Sequence, residues 1–498
     1  MRGAPLAVAL LLALPACRHA GLGSGEVQWW RVRTPHFVVH SDLDEPIARE
    51  RAELLERLLA AYLQHGWDYH GELPLQLNVV LFAHPAEFDA LTCKRDLTGY
   101  FTEALFEPWM VQGDGRRSAS LTTLRHELSH YLAFMAMQYQ PPWFAEGIAG
   151  YFETAYFDDE IGFVVGKVPL GHLQVLQQGG RLSAEQLLSE GVAPSGPDFY
   201  ASAWLLVHYL MSAREPDFTR YQLALSQGKG HRAAWSEALP DLTYERIDQL
   251  LVQYVRAGEY ANYARPVGLP PASARSERLS RADEYALRGL LYKQNASCSR
   301  EHEQRSRESL VQALALAPHQ LEASALVALA RAEHGGDRLA DARALSERHP
   351  GAWLSWLTLA SVAHAEGERA TATEAVQRSL ELAPRQPYAI MLAAQLAMEE
   401  GERAQALHAS ARALRIQPTN MRLLLQRALI LAAAGECQSL HATAATLSTL
   451  AHGGLTEAQR ASWAKLSTAC AERAASTPDP VVPSLRSAPS PDVARDSE

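Results

Sequence analysis

The chain has 498 residues, of which 46 are Lys or Arg and 56 are Asp or Glu, and its formal net charge at pH 7 is −10. This acidic balance provides no basic footprint for binding nucleic acid. A hydrophobic fraction of 47% with 20% charged residues excludes a disordered chain, a collagen-like chain and a membrane protein with many spans. At about 100 to 200 residues per domain, the length predicts two or three globular domains.

The N-terminus has the layout of a secretory signal. A short basic start is followed by residues 4–14, which are almost entirely apolar, and by Cys17 after a small residue. An apolar run of about 11 residues is too short to span a bilayer as a helix. The Leu-Pro-Ala-Cys ending resembles the bacterial lipobox, which implies a signal peptide over residues 1–17 with lipid on Cys17. The alternative is an ordinary signal peptide and a secreted or periplasmic soluble protein.

The next segments predict a small α+β unit. Residues 27–41 alternate bulky and polar side chains, and residues 75–82 form a second β-rich run. A helical stretch over residues 45–65 separates them. From residue 121 to residue 260 the pattern is mostly helical.

His126, Glu127 and His130 form an HExxH sequence inside one of these helical stretches. Spacing of i and i+4 puts both imidazoles on one helix face, where they can bind one Zn²⁺ with Glu127 beside them to hold a water. Two prolines then break the helix, and a second helix can return along the first and bring Glu146 to the metal. Three protein ligands leave a fourth position for water, as in catalytic zinc sites. The alternative is an amphipathic helix with two surface histidines.

The sequence Trp-x-x-Glu-Gly-x-Ala-x-Tyr-x-Glu, which runs from Trp143 to Glu153, follows this HExxH sequence. The combination resembles the gluzincin metallopeptidases, and most closely the peptidase MA-like group. The resemblance implies that residues 27–262 form an α+β zincin-like metallopeptidase domain holding one Zn²⁺ per chain. It gives the ligand roles to His126, His130 and Glu146 and the general-base role to Glu127.

The same resemblance implies a residue that donates a hydrogen bond to the oxyanion, and Tyr200 occupies the matching place at the start of a helix. The alternative is that Tyr200 is a core aromatic residue. His208, on the same helix face, is interpreted as a packed structural histidine. The Gly-x-Met-x-Asn sequence of related aminopeptidases is absent from residues 99–117, which favours an endopeptidase. By the same analogy, either residues 99–103 or residues 109–112 form an edge strand that aligns the substrate.

Metal-bound histidines usually donate their other ring N–H to a carboxylate or a carbonyl. Thermolysin-like relatives use an aspartate four residues past the ligand glutamate, but this sequence has Gly150 there. Glu153 lies two turns past Glu146 on the same helix face, and we expect it to take this role. The alternative is a solvated glutamate at the end of the helix.

Residues 263–280 contain three prolines and predict a linker. Beyond it, prolines recur at intervals of 32, 34 and 34 residues, and glycines recur at the same intervals between alanine- and leucine-rich helical stretches. This pattern resembles the tetratricopeptide repeat (TPR) and implies an all-α, TPR-like solenoid over residues 281–475 that ends in a capping helix and binds a protein partner. The alternative is a generic solenoid of helical hairpins. Residues 476–498 are proline-rich with few large apolar side chains and predict a disordered tail.

Cys437 and Cys470 are placed symmetrically about a pair of glycines at positions 453 and 454. Folding this segment into an antiparallel hairpin brings the two cysteines together, so we predict a disulfide, with two buried free thiols as the alternative. The sequence leaves the pairing of Cys93 and Cys298 open.

Two functions fit these observations. The first is an exported, lipid-anchored zinc endopeptidase of the bacterial cell envelope, which acts on a peptide or protein substrate and binds a partner through its solenoid. The second is an envelope scaffold or adaptor lipoprotein in which the repeats carry the function and the zinc domain is not proteolytic.

Overall fold

The computed structural model describes residues 27–65, 75–92, 98–113, 119–138, 140–189, 196–270, 273–334, 338–450 and 457–476. Cys17, Cys93 and the two glycines at 453 and 454 lie outside these residues, as do the expected signal peptide and all but the first residue of the expected tail. Among the described helices, none is both long enough and apolar enough to cross a membrane.

The N-terminal half mixes strands and helices. Its strands are β1 (Trp30–Arg33), β2 (Phe37–Ser41), β3 (Leu77–Leu81), β4 (Gly99–Ala104), β5 (Glu107–Gln112), β6 (Tyr156–Asp158), β7 (Gly162–Val165), β8 (Tyr263–Arg265) and β9 (Arg275–Arg278). Its helices are α1 (Glu45–His65), α2 (Pro85–Leu91), α3 (Ala119–Ala136), α4 (Pro142–Phe152), α5 (Leu170–Gln177), α6 (Ala184–Leu187), α7 (Pro197–Ala213), α8 (Glu215–Ser226), α9 (His231–Ala238) and α10 (Tyr244–Ala257). The expected small α/β region is therefore present.

Six of the strands form one sheet in the order β4-β5-β3-β2-β1-β9. The parallel neighbours β2 and β3 lie inside this sheet and are buried along their whole length, as expected for strands covered on both faces. On one face, α1 and α3 contribute to a large core together with α4 and α7. On the other face, Val80, Phe82 and Val111 belong to a second core that continues into the C-terminal half.

The C-terminal half is a TPR-like helical solenoid built from successive helical hairpins. Its helices are α11 (Arg281–Gln294), α12 (Arg300–Leu316), α13 (Leu321–His334), α14 (Leu339–Arg348), α15 (Trp353–Ala365), α16 (Arg369–Leu382), α17 (Pro387–Glu399), α18 (Arg403–Ile416), α19 (Met421–Ala434), α20 (Cys437–Leu450) and α21 (Glu457–Ser476). The prediction of repeated helical hairpins is confirmed.

The regular glycines and prolines mark the ends of the solenoid helices. Gly367, Gly401 and Gly435 stand between the two helices of successive hairpins with φ of 81°, 85° and 73°, a left-handed conformation that glycine adopts without a steric cost. The prolines follow the second helix of each hairpin, where a residue that cannot continue a helix fits. They are Pro318, Pro350, Pro384 and Pro418.

The expected linker over residues 263–280 is wrong in part, because two strands form inside it. β8 pairs with β7, and β9 pairs with β1 at the end of the six-stranded sheet. Arg31 lies opposite Glu277 in this pairing and forms an ion pair with it at 3.1 Å. Pro266 and Pro270 fall between the two strands, where a missing N–H breaks no ladder.

A disulfide joins Cys437 at the start of α20 to Cys470 on α21, with 5.7 Å between the two Cα atoms. The pair lies where its symmetric placement about the two glycines predicts it. Cys470 is fully buried against Ala428, Leu431 and Leu440. Cys298 is also disulfide-bonded.

We expect replacement of both Cys437 and Cys470 by Ser to lower the local free energy of unfolding of the last hairpin by about 3 to 4 kcal/mol, because the disulfide closes a loop of 33 residues. Hydrogen exchange of the amides of α20 and α21 measures this loss. Reducing agent should loosen α20 and α21 in the parent chain and leave the same two helices of the double variant unchanged. Equal exchange rates in parent and variant would contradict the prediction.

Candidate metal centre

Helices α3 and α4 provide the three expected ligand residues. His126 and His130 lie one turn apart on α3, and their ring centroids are 4.9 Å apart. Helix α4 begins at Pro142, a position where the missing N–H of proline removes no hydrogen bond of the helix. Tyr62 of α1 donates its hydroxyl proton toward the carbonyl oxygen of Arg125 on α3 at 3.3 Å and that of Phe152 on α4 at 3.4 Å, so a buried side chain connects the two helices.

Gly147 lets α4 approach α7 closely. A Cβ atom at this position would lie 2.5 Å from the carbonyl oxygen of Ala203 and 2.6 Å from Cγ2 of Val207, so a larger residue would force the helices apart. Because Gly147 directly follows Glu146, α7 packs against the turn of α4 that carries Glu146.

The ligand atoms converge on one point. Oε2 of Glu146 lies 3.4 Å from Nε2 of His126 and 3.7 Å from Nε2 of His130. Each of the three residues contributes one ligand atom, and these atoms all lie within 4.8 Å of one another. Among the described residues, no other three His, Cys, Asp or Glu side chains come together in this way. All three side chains are partly exposed, so the group is open to solvent on one side.

Glu153 contacts His126 at Nδ1, the ring nitrogen that does not face Glu146. Its Oε2 atom lies 3.0 Å from Nδ1 of His126, and its Oε1 atom lies 3.8 Å from Nε2 of His172 on α5. This hydrogen bond fixes the His126 ring so that Nε2 faces Glu146. Sequence reasoning missed His172, because its place beside Glu153 depends on how α5 packs on the rest of the domain.

The centre attracts positive charge. Burial lowers the pKa of His126, but hydrogen bonds to Glu146 and Glu153 and the charge of Glu127 outweigh it and raise the pKa to about 10. Carboxylates that stabilise a proton on one imidazole in this way also suit a divalent cation. Imidazole nitrogens with a carboxylate oxygen match the ligand preference of Zn²⁺.

Tyr200 lies in the first turn of α7 and is 40% exposed. Burial and the charges of Glu146 and Glu127 raise the pKa of its hydroxyl, so the hydroxyl lies within electrostatic reach of these two carboxylates. His208 is fully buried: its Nδ1 contacts the hydroxyl of Tyr254 at 2.8 Å, and its Nε2 lies 2.9 Å from the carbonyl oxygen of Gly166. This agrees with its interpretation as a structural histidine.

Strand β4 is the edge strand nearest the centre. It is one of the two terminal strands of the six-stranded sheet, with β9 at the other end, whereas β5 lies between β4 and β3. Of the two segments considered for the edge, residues 99–103 therefore form it and residues 109–112 do not. A Cβ atom on Gly99 would lie 2.8 Å from Cγ2 of Thr123 and 3.6 Å from Cγ of Glu127, so the strand begins against the HExxH helix.

No protein-family model matches the chain, and no curated protein matches it. Solved structures with some similarity include a crystal structure of MamA, with 14% identity, a TM-score of 0.26 and coverage of 34% of this chain and 91% of that one. The human IFIT1 dimer with m7Gppp-AAAA has 13% identity, a TM-score of 0.29 and coverage of 72% and 66%. Yeast Tom70 has 12% identity, a TM-score of 0.29 and coverage of 74% and 78%. At these values the similarities carry no argument about function.

Proposed function

We propose that the chain is a zinc-dependent metallopeptidase that hydrolyses peptide bonds. The observation that carries the proposal is the convergence of His126, His130 and Glu146, with Glu127 on the same helix as both histidines. The centre combines three protein ligands with a solvent-facing side, which is the arrangement of a catalytic zinc site and differs from a closed structural one. One Zn²⁺ per chain fits this donor set.

A bound Zn²⁺ would polarise the scissile carbonyl and increase the acidity of a water. Glu127 takes the proton from the attacking water and passes it to the leaving nitrogen, which is the task of a general base that then acts as a general acid. Tyr200 donates a hydrogen bond to the oxyanion that develops on the substrate carbonyl. Glu153 holds His126 in the orientation that the metal requires.

We expect Tyr200→Phe to lower kcat by about 10²-fold or more, the loss typical of removing one oxyanion donor, while zinc binding stays unchanged. Steady-state kinetics on a peptide that the parent cleaves gives kcat, and metal analysis gives the zinc content. Tyr209→Phe is a matched control, because Tyr209 lies on the same helix and packs against Tyr254. A kcat for Tyr200→Phe equal to that of the control would contradict the oxyanion role.

The edge of β4 fits an extended substrate. A peptide that pairs with the outer side of this strand places its backbone in front of Glu127, and such pairing needs no free terminus. We therefore propose that the chain acts as an endopeptidase. The test uses peptides that are blocked at both ends and internally quenched: cleavage by the zinc-loaded chain supports endopeptidase action, and cleavage of free-ended peptides alone would contradict it.

The proposed location is the bacterial cell envelope, with lipid on Cys17 as membrane anchor. What supports it is the lipobox-like end of the N-terminal apolar run. The Cys437–Cys470 disulfide is also compatible with an oxidising compartment outside the cytoplasm. Mass spectrometry of the mature N-terminus distinguishes a lipidated Cys17 from an ordinary signal cleavage.

The second candidate is a protein-binding scaffold. The observation that favours it is the solenoid, on which Met421, Leu425 and Leu429 of α19 are 40%, 49% and 52% exposed along one helix face. Exposed apolar surface of this kind is typical of protein interfaces. Under the scaffold hypothesis, the Glu127→Gln variant keeps the full biological function. Under the peptidase hypothesis, this substitution abolishes the function.

A further inference from the structure

The tip of the β4–β5 hairpin packs against the solenoid at the starts of α17 and α19. Its two turn residues, Leu105 and Phe106, are buried at 8% and 6% exposure, and they have φ of 46° and 68°. This left-handed conformation is strained for residues other than glycine, and it persists only where the surroundings enforce it.

Solenoid side chains supply that enforcement. Gln386 donates from Nε2 to the carbonyl oxygen of Phe106 at 3.1 Å, and the ring of Phe106 packs on Tyr388 at 5.3 Å between ring centroids. The guanidinium of Arg422 lies 5.6 Å from the centroid of Phe106 and 5.3 Å from that of Tyr388. The turn of an edge hairpin is thus held by two different repeats.

Glu103, beside this turn, is the main polar connection between β4 and the solenoid. Its carboxylate accepts hydrogen bonds from the hydroxyl of Tyr388 at 2.8 Å and from Nδ2 of Asn420 at 2.7 Å. Burial raises the pKa of Glu103 to about 7, and the hydrogen bond from Tyr388 and the charge of Arg422 oppose the rise. The solenoid therefore provides the groups that reduce the free-energy cost of burying this carboxylate.

Glu103 also belongs to the outer edge of β4. It lies opposite Pro108 of β5, which has no N–H with which to bond it, so its backbone groups turn away from β5. By alternation the residues of β4 with outward backbone groups are Gly99, Phe101 and Glu103. The carbonyl oxygen of Glu103 accepts from Nε2 of Gln294 on α11 at 3.2 Å, and Gly99 lies beside Glu127. One end of this row is anchored to the solenoid and the other meets the catalytic helix.

We propose that Tyr388 and Asn420 are positioning residues for the peptidase reaction, because they hold Glu103 and, through β4, the edge with which the substrate backbone pairs. This inference rests on the proposed function. It means that the solenoid surface at Tyr388 and Asn420 binds the chain's own hairpin, and that the solenoid acts as part of the substrate-binding apparatus.

The connection reaches the catalytic helix by a second route. Thr419, next to Asn420, donates from Oγ1 to the carbonyl oxygen of Phe134 on α3 at 3.4 Å. The ring of Phe134 packs on Phe101 of β4 at 5.2 Å. A change at Asn420 therefore affects β4 directly. His126 and His130, in the middle of α3, contact Glu146 and do not contact Asn420, so we expect the metal site to stay intact.

The test compares two variants of the full chain. Tyr388→Phe removes one hydrogen bond to Glu103. Asn420→Asp keeps the oxygen that caps α19 by accepting from the amide of Leu423, but it removes the Nδ2 donor and places a carboxylate against Glu103. Tyr292→Phe is the matched control, because its hydroxyl contacts Arg305 within the solenoid.

With a blocked peptide as substrate, we expect Asn420→Asp to raise KM at least 10-fold, Tyr388→Phe to raise it about 3-fold, and both to leave kcat within 3-fold and zinc at one equivalent. Amide hydrogen exchange over residues 99–104 should become at least 10-fold faster in Asn420→Asp. Adding Glu103→Gln to Asn420→Asp restores one donor and one acceptor to the pair, so KM should return toward that of the parent. The control should match the parent in both measurements.

The outcomes separate this inference from the proposed function. Unchanged KM with unchanged exchange overturns the inference, and so does faster exchange with unchanged KM, because β4 then loosens without affecting substrate binding. If the zinc-loaded parent cleaves no peptide, the proposed function fails and the positioning role fails with it. Raised KM that the added Glu103→Gln reverses supports the inference, since general misfolding would not be repaired by a second change.

Discussion

Glu127→Gln is expected to abolish peptide hydrolysis while one equivalent of zinc stays bound. Glutamine has nearly the same shape as glutamate, but its amide cannot accept a proton, and Glu127 is not one of the three converging ligand residues. General-base catalysis typically contributes 10² to 10⁴-fold, so we expect kcat to fall by about 10³-fold or more. Steady-state kinetics on a peptide cleaved by the parent measures the fall.

The matched control is Glu160→Gln, which makes the same chemical change at an exposed turn outside the site. Its kcat and zinc content should equal those of the parent. If Glu127→Gln cleaves peptide as fast as this control, Glu127 is not the general base. If it instead loses its zinc, the assignment of ligands is incomplete.

Removal of a ligand carboxylate should have its largest effect on metal affinity. We expect Glu146→Gln to weaken zinc binding by more than 100-fold, because Oε2 of Glu146 faces the Nε2 atoms of both His126 and His130. Glu153→Gln changes a group that contacts His126 through Nδ1 and does not itself belong to the three ligand residues, so it should weaken binding by about 10 to 100-fold. Competition with a zinc-binding dye gives both affinities.

Thermal unfolding of the zinc-free chains is the control for these two variants. The connection of α3 and α4 through Tyr62 does not depend on the metal, so both variants should remain folded. Equal zinc affinity in Glu146→Gln and Glu153→Gln would be inconsistent with Glu146 as a direct ligand. If a variant is unfolded without zinc, its loss of zinc affinity would come from disturbed packing of α4 and not from the loss of a ligand.

Much of the site could be predicted because it depends on local spacing. His126 and His130 share a helix face at i and i+4. Glu146 lies on the next helix and Glu153 directly follows its last residue in a helical conformation, seven positions later, so the periodicity of a helix relates them as well. The boundaries of α1 and the hairpins of the solenoid follow in the same way from short-range patterns. The disulfide between Cys437 and Cys470 needed only the symmetry of one hairpin.

The features that were missed depend on contacts between distant parts of the chain. The pairing of β9 with β1 joins residues more than two hundred positions apart, and nothing local in Arg275–Arg278 specifies that partner. His172 reaches Glu153 through the packing of α5. Glu103 meets Tyr388 and Asn420 only because the solenoid packs against the β4–β5 hairpin. Short motifs carry no information about such approaches, so the strands inside the expected linker and the contact of the solenoid with the β4–β5 hairpin could not be predicted from the sequence.

The most direct test of the central claim is digestion of a complex peptide mixture by the full chain loaded with one equivalent of zinc. Mass spectrometry identifies the new termini, with a zinc-free sample and the Glu127→Gln variant treated in parallel. The zinc peptidase account predicts new internal cuts in the zinc-loaded parent alone. Absence of cuts despite bound zinc, or the same cuts in Glu127→Gln, would contradict it.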